Sequence, residues 1–210
     1  MLHYVYDPLC GWCYGAAPLI QVAATMSAIT LHAGGMMTGS RRQPVTPALR
    51  QFVKSHDERI AKMTGQTFGD AYTDGLLADN SAVFDSTPPI AAILAAEQLA
   101  GKGLSMLSAL QQAHYQQGRK IAEPLTLFAL ADSLGINQTD FTAAFVSNMH
   151  TTAQAHMQDT RMLMTQWQLQ GFPSVVLSKA SGLVVLDLSP WFGKPQDFGQ
   201  WLSQQLQQNN

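Results

Sequence analysis

Cysteine is scarce in this chain of 210 residues: there are two, Cys10 and Cys13. A secreted scaffold held by disulfides needs more cysteines at wider separations, and that class is excluded. One close pair points instead to metal binding, catalysis or redox exchange in a reducing compartment. Charge is sparse as well, at 12% Asp, Glu, Lys and Arg with a net charge of -2. No stretch gathers Lys and Arg into a patch able to neutralise a row of phosphates, which argues against nucleic acid as a partner. Long apolar runs are missing, since no window approaches the roughly 18 residues that would suggest a membrane span. The opening MLHYVYDPLC has neither a basic n-region nor an apolar h-region, so a cytoplasmic location is expected. What is plentiful is apolar residues, 46% of the total, enough to bury a core in one domain with a sizeable insertion.

Residues 2–6, LHYVY, read as a short buried strand stopped by Asp7-Pro8, because Pro8 has no N–H and biases the residue before it away from helix. Trp12, Ala16, Leu19, Ile20 and Ala23 recur at spacings of three and four and predict a helix from about Gly11 to Ser27, kinked or broken at Pro18. ITLHAGGMM, 29–37, predicts a second strand ending at two glycines. Thr46-Pro47 then looks like an N-cap followed by Pro at the first helical position, with Leu49, Phe52, Val53, Ile60 and Met63 as an apolar face. Further helical patterns at 86–100, 103–118, 124–134 and 138–149 make a block without strands. A helix from about Thr151 to Gln168 is expected to bury Ala155, Met162, Leu163 and Trp167. Two runs of aliphatic residues around Ala180-Ser181-Gly182 predict a hairpin, and 195–208 predicts a closing helix on Phe198, Trp201, Leu202 and Leu206. The chain thus divides into an α/β frame, 1–44 and 151–210, around a helical insertion, 45–150.

A Cys-x-x-Cys at the junction of strand and helix sets Cys10 at the helix N-terminus, where unpaired N–H groups and the macrodipole favour a thiolate. Cys13 sits one turn in, more covered and within reach of a short disulfide. That asymmetry is what exchange requires: an exposed thiolate attacks, and the second thiol resolves the mixed disulfide. Gly11-Trp12 between them adds no positive charge, and Asp7 opposes the thiolate if it points the same way. Structural zinc wants four ligands, whereas the chain offers one cysteine pair and six scattered histidines. Two inert thiols would have no reason to occupy a helix N-terminus. His32 reads as a core histidine, and Trp167, Trp191 and Trp201 as packing. On local grounds Pro173, after Gly171 and before a strand, is strand-start punctuation.

The sequence resembles the thioredoxin-fold oxidoreductases, and within them the DsbA-like family that carries an inserted helical domain. The resemblance rests on YDPLCGWCYGAAP, on the insertion after the second strand, on AHYQQGRKI followed by a Pro-initiated helix, and on GFPSVV, in the family's order over nearly the whole chain. It implies an α/β, thioredoxin-like fold with an inserted all-helical domain. It also implies dithiol–disulfide exchange with protein or peptide substrates, Cys10 as nucleophile and Cys13 as resolving thiol. No metal or organic cofactor is required, and glutathione is a candidate co-substrate. Pro173 would be cis and face the cysteines, the backbone of Phe172 would pair with substrate, and Gly11 and Trp12 would tune the potential. Phe172 is larger than the Val, Ile or Thr common there, and Gly-Trp differs from the dipeptides of thioredoxin and DsbA, marking a distinct cytosolic branch.

Two rival readings use the same residues. Glutathione-dependent transferases and isomerases of the kappa type share the fold with its insertion, but typically have Ser where Cys10 stands and lack the second cysteine. A redox-independent binding or chaperone module would use the groove beside Pro173 and the helical block.

Overall fold

The computed structural model describes residues 1–207. Strand β1 (Leu2–Tyr6), helix α1 (Gly11–Met26) and strand β2 (Ile29–Ala33) come first, followed by the short strand β3 (Gln43–Pro44) and helix α2 (Pro47–Thr64). Strand β4 (Val83–Phe84) precedes helices α3 (Thr87–Ala100), α4 (Gly103–Tyr115), α5 (Pro124–Ser133) and α6 (Gln138–Ser147). Helix α7 (Ala153–Gln166), strands β5 (Ser174–Lys179) and β6 (Gly182–Leu186) and helix α8 (Pro195–Gln207) complete the chain. The predicted closing helix is present, and its last expected residue, Gln208, lies outside the described residues.

The main sheet runs β2-β1-β5-β6. β1 and β2 are parallel, with Leu2 opposite Ile29, while β5 is antiparallel to β1 and joined to β6 as a hairpin. Alternation along β1 sorts the layers. Tyr4 points to α1 and donates its hydroxyl to the Cys13 carbonyl at 3.4 Å, and α8 packs along α1, with Gly199 against Val22. His3 points the other way, sharing a 3.0 Å hydrogen bond with His32 and meeting the Trp167 ring edge-on at the end of α7. His32 therefore lies on the face away from α1, and burial pulls its pKa down to about 4.

α1 continues through Pro18 without the break that was one of the two outcomes expected there. Pro18 has no N–H to offer the Tyr14 carbonyl, and Gln66 Nε2 supplies that hydrogen bond from outside the helix at 2.8 Å. Thr46 caps α2 as predicted, its Oγ1 accepting from Leu49 N at 3.1 Å. Three expectations are corrected. The strand at 29–37 stops at Ala33, because Gly34 N closes the ladder on Tyr6 O and Gly35 turns the chain at φ +67°. β4 lies inside the block read as strandless, since a two-residue ladder is too short to show a period. The buried faces of α2 and α7 also differ: α2 buries Asp57, Ile60 and Thr64 and exposes Phe52 and Met63, and α7 buries Ala153, Met157 and Thr160 while Ala155 and Met162 face out. Both inward faces carry polar residues with dedicated partners, which apolar periodicity does not register. Tyr72 donates to Asp57, and His156 Nε2 accepts from Ala33 N at 2.9 Å.

Candidate active site

β1 hands the chain to α1 through a turn built on Asp7. The Asp7 carboxylate is fully buried and accepts from Leu9 N and Ser86 Oγ, each at 2.9 Å, and from Met36 N. Those donors come from the turn itself, the loop after β2 and the start of α3, so one side chain ties three segments together. Its charge points into these donors. Burial pushes its acid pKa up to about 6 despite the three hydrogen bonds. Cys10 follows, with its N–H on Asp7 O at 3.1 Å, and occupies the N-cap of α1 as the strand stop predicted.

Both thiols are free. Cys13 is completely buried, and burial together with the neighbouring Cys10 sulfur pushes its pKa well up. Cys10 is only 6% exposed, less open than expected, and its thiol donates to the Phe172 carbonyl at 3.8 Å. The Phe172–Pro173 peptide is cis. The Phe172 ring lies on Gly34, where an added Cβ would sit 2.2 Å from it, so the large residue is accommodated by a missing side chain across the sheet. Arg161 of α7 fastens that loop, donating from Nε to Gly34 O at 3.0 Å and from Nη2 to Gly35 O at 2.9 Å.

α2 supplies what the cysteine motif lacks. Its Arg59 guanidinium stands 5.8 Å from the centre of the Trp12 ring, bringing a positive charge beside a dipeptide that carries none. Gly11 lets α2 pack close to the motif: a Cβ there would lie 2.9 Å from both Asp57 Oδ1 and Ile60 Cδ1, and those side chains would have to shift. Asp57 accepts from Tyr72 Oη at 2.9 Å, and burial lifts its acid pKa to about 7. The motif signalled neither Asp57 nor Arg59, since both lie far along the chain on α2, which meets the motif only in the folded protein.

The Asp57 shift has a measurable consequence. Its folded pKa lies above the unfolded value, so the folded state holds the extra proton between about pH 4 and pH 7, and stability falls as pH rises through that window. Relative to wild type, Asp57→Asn gains stability progressively across the same window, by on the order of 4 kcal/mol, and no further above it. His32 and His114, buried neutral, have the opposite pH dependence, but both proteins contain them and they cancel in the difference. Urea titrations of both proteins at a series of pH values test this, and a pH-independent difference would refute the assignment.

Two hollows flank the motif and share the Trp12 ring as a wall. One, about 660 Å³, runs past Arg59, Phe172, Pro173, Asp187 and Ser189. The other, about 600 Å³, is bounded by Cys10, α2 and the aromatic residues Tyr72, Phe84 and Tyr115. The expected cysteines, Gly11, Trp12, Phe172 and Pro173 are therefore gathered at one place, between a groove that carries Arg59 and Asp187 and an apolar chamber.

The sequence profile of the DSBA-like thioredoxin domain matches residues 1–195. Among solved structures, the cytosolic disulfide reductase DsbM from Pseudomonas aeruginosa is 48% identical over 98% of both chains, with a TM-score of 0.92, and 0.91 for its structure with GSH. A candidate protein disulfide isomerase from Nitrosomonas europaea is 24% identical over 100% of this chain and 98% of its own, with a TM-score of 0.79, a likeness of fold. No match was found among curated protein sequences.

Proposed function

Because the chain belongs to the DSBA-like thioredoxin-domain family of disulfide oxidoreductases, we propose that it reduces disulfides through Cys10 and Cys13, in the cytosol, with glutathione as a co-substrate. The observation that carries this reading is the placement of Cys10 at the N-cap of α1, its thiol on the Phe172 carbonyl and the buried Cys13 behind it. Burial keeps Cys13 protonated, so Cys10 is the sulfur that attacks first. The Cys10 thiolate attacks one sulfur of the substrate disulfide, that bond breaks, and the other sulfur departs as a thiol after taking a proton. Cys13 then loses its proton and attacks Cys10, releasing the second substrate thiol and leaving the Cys10–Cys13 disulfide. External thiol, glutathione in this reading, returns the pair to the dithiol.

The groove beside Pro173 suits a peptide bearing both charge signs. Arg59, Asp187 and Phe172 all line it. Glutathione, a tripeptide with two carboxylates and an ammonium group, has that character. Reduction, as opposed to oxidation, is the direction favoured by the 48% identity to a cytosolic disulfide reductase. Equilibration in glutathione buffers of graded potential, with the disulfide followed by mass shift after alkylation, tests it. The expected potential is nearer thioredoxin's, about -270 mV, and one near that of DsbA, about -120 mV, would mark an oxidant instead.

A further inference from the structure

The apolar chamber on the other side of Trp12 has no part in that scheme, yet Cys10 forms part of its wall. It holds about 600 Å³, within the range of small-molecule sites. Its sides are largely carbon, from residues such as Leu49, Val53 and Phe84, and no Lys or Arg lines it. Two polar groups in the lining have bonding capacity to spare among the described residues. Asp57 Oδ2 takes the Tyr72 hydroxyl, while Oδ1 accepts no protein hydrogen bond, is not sealed from solvent and lies against Gly11, next to Cys10 in the chain. His114 is 2% exposed, and its Nδ1 is buried and unpaired. A protein interior leaves few groups like the His114 nitrogen unsatisfied, and those it leaves need an explanation. Anionic or zwitterionic halves of a substrate are disfavoured in this chamber, whereas the groove beside Arg59 and Asp187 suits them.

We propose that the chamber is a second substrate subsite, which receives the apolar half of an unsymmetrical disulfide whose peptide half lies in the groove, and that Asp57 protonates the sulfur that leaves into it. The inference rests on the disulfide-reductase reading and adds the substrate class and a catalytic acid. In the step, the Cys10 thiolate forms a bond to the peptide sulfur and the S–S bond breaks. The electron pair goes to the apolar sulfur, and Asp57 gives that thiolate its proton and becomes a carboxylate. The proton returns from solvent once the thiol leaves. Burial supports the role, since an acid lifted to about 7 still carries its proton near neutrality. The titratable groups lining the chamber with it include no permanent cation: His56 is on its own helix, Tyr72 is its partner, His114 and Tyr115 come from α4, and Cys10 is part of the wall, while Arg59, two residues along α2, lines the groove over Trp12 instead.

Two mixed disulfides of glutathione separate the possibilities, one with phenylmethanethiol and one with 4-nitrobenzenethiol. Both place glutathione in the groove and a ring of similar size in the chamber, but the first leaving thiolate is basic and the second is not. A thiolate of low basicity leaves readily without a proton, whereas a basic one needs help. In pre-reduced wild type, kcat/KM for the two is expected within about tenfold, and Asp57→Asn should widen that gap by a further tenfold or more. Val53→Trp, which fills the chamber, should raise KM for the phenylmethanethiol disulfide by a larger factor than for oxidised glutathione. If wild type reduces neither disulfide, the reductase reading itself fails. If it reduces both and Asp57→Asn slows them by equal factors, Asp57 is not the acid; equal KM increases in Val53→Trp would remove the chamber as a subsite. Should Asp57→Asn fail to fold, the wild-type comparison still decides the acid role: a gap of about a thousandfold between the two substrates would overturn it.

Discussion

Cys10→Ser turns over no disulfide, while Cys13→Ser reacts once and stops with substrate attached to Cys10. A serine hydroxyl is not a thiolate at neutral pH, so no other group at the N-cap of α1 can begin the exchange. In Cys13→Ser the first attack is intact, but the buried residue one turn behind no longer carries a resolving sulfur. Excess glutathione should release the trapped species slowly, by external attack. Both substitutions are nearly isosteric, so melting temperatures should stay close to wild type and separate loss of chemistry from loss of fold. Intact-mass measurement after incubation with a disulfide peptide reads both outcomes. Full activity in Cys10→Ser, or no adduct in Cys13→Ser, would remove these residues from the roles proposed for them.

The largest loss of stability is expected from Asp7→Ala. It strips acceptors from Leu9 N, Met36 N and Ser86 Oγ at once, in a place with no solvent to replace them. An orphaned buried donor costs about 1–3 kcal/mol, so three together amount to roughly 3–6 kcal/mol after some relaxation. For a chain of this length that is a fall in Tm of roughly 10–20 °C. Ser86→Ala should cost less, although Ser86 Oγ also accepts from Met37 N at 3.1 Å. Because the same carboxylate holds the turn that delivers Cys10, Asp7→Ala should lose turnover even at temperatures where it stays folded. Thermal unfolding followed by circular dichroism tests the first part, and a fall below about 3 °C would show that the three donors find other partners.

Much of this architecture was legible from local pattern. The strand stop at Asp7-Pro8, the N-cap at Thr46-Pro47, the hairpin at Ala180-Ser181 and the helical frame follow from interactions between residues a few positions apart. The cysteine motif was legible for the same reason, since its placement depends only on where β1 ends and α1 begins. Less visible were the faces of α2 and α7, because the inward positions hold Asp57, His156 and Thr160, whose burial is compensated by hydrogen bonds and not signalled by hydropathy.

By itself, then, the sequence determined the order of the main-sheet strands and the helices, the position of Cys10 at a helix N-terminus and the pairing of that site with the distant Gly-Phe-Pro segment through family resemblance. Tertiary structure alone decided that Arg59 stands over Trp12, that Asp57 abuts Gly11, that the Phe172 ring rests on the bare Gly34, and that the motif separates a groove bearing Arg59 and Asp187 from an apolar chamber. Spacing along the chain reports contacts within a helix or a turn. Contacts between α2 and α1, or between the β5 end and the loop after β2, exist only once the sheet has closed and the helices have docked on it.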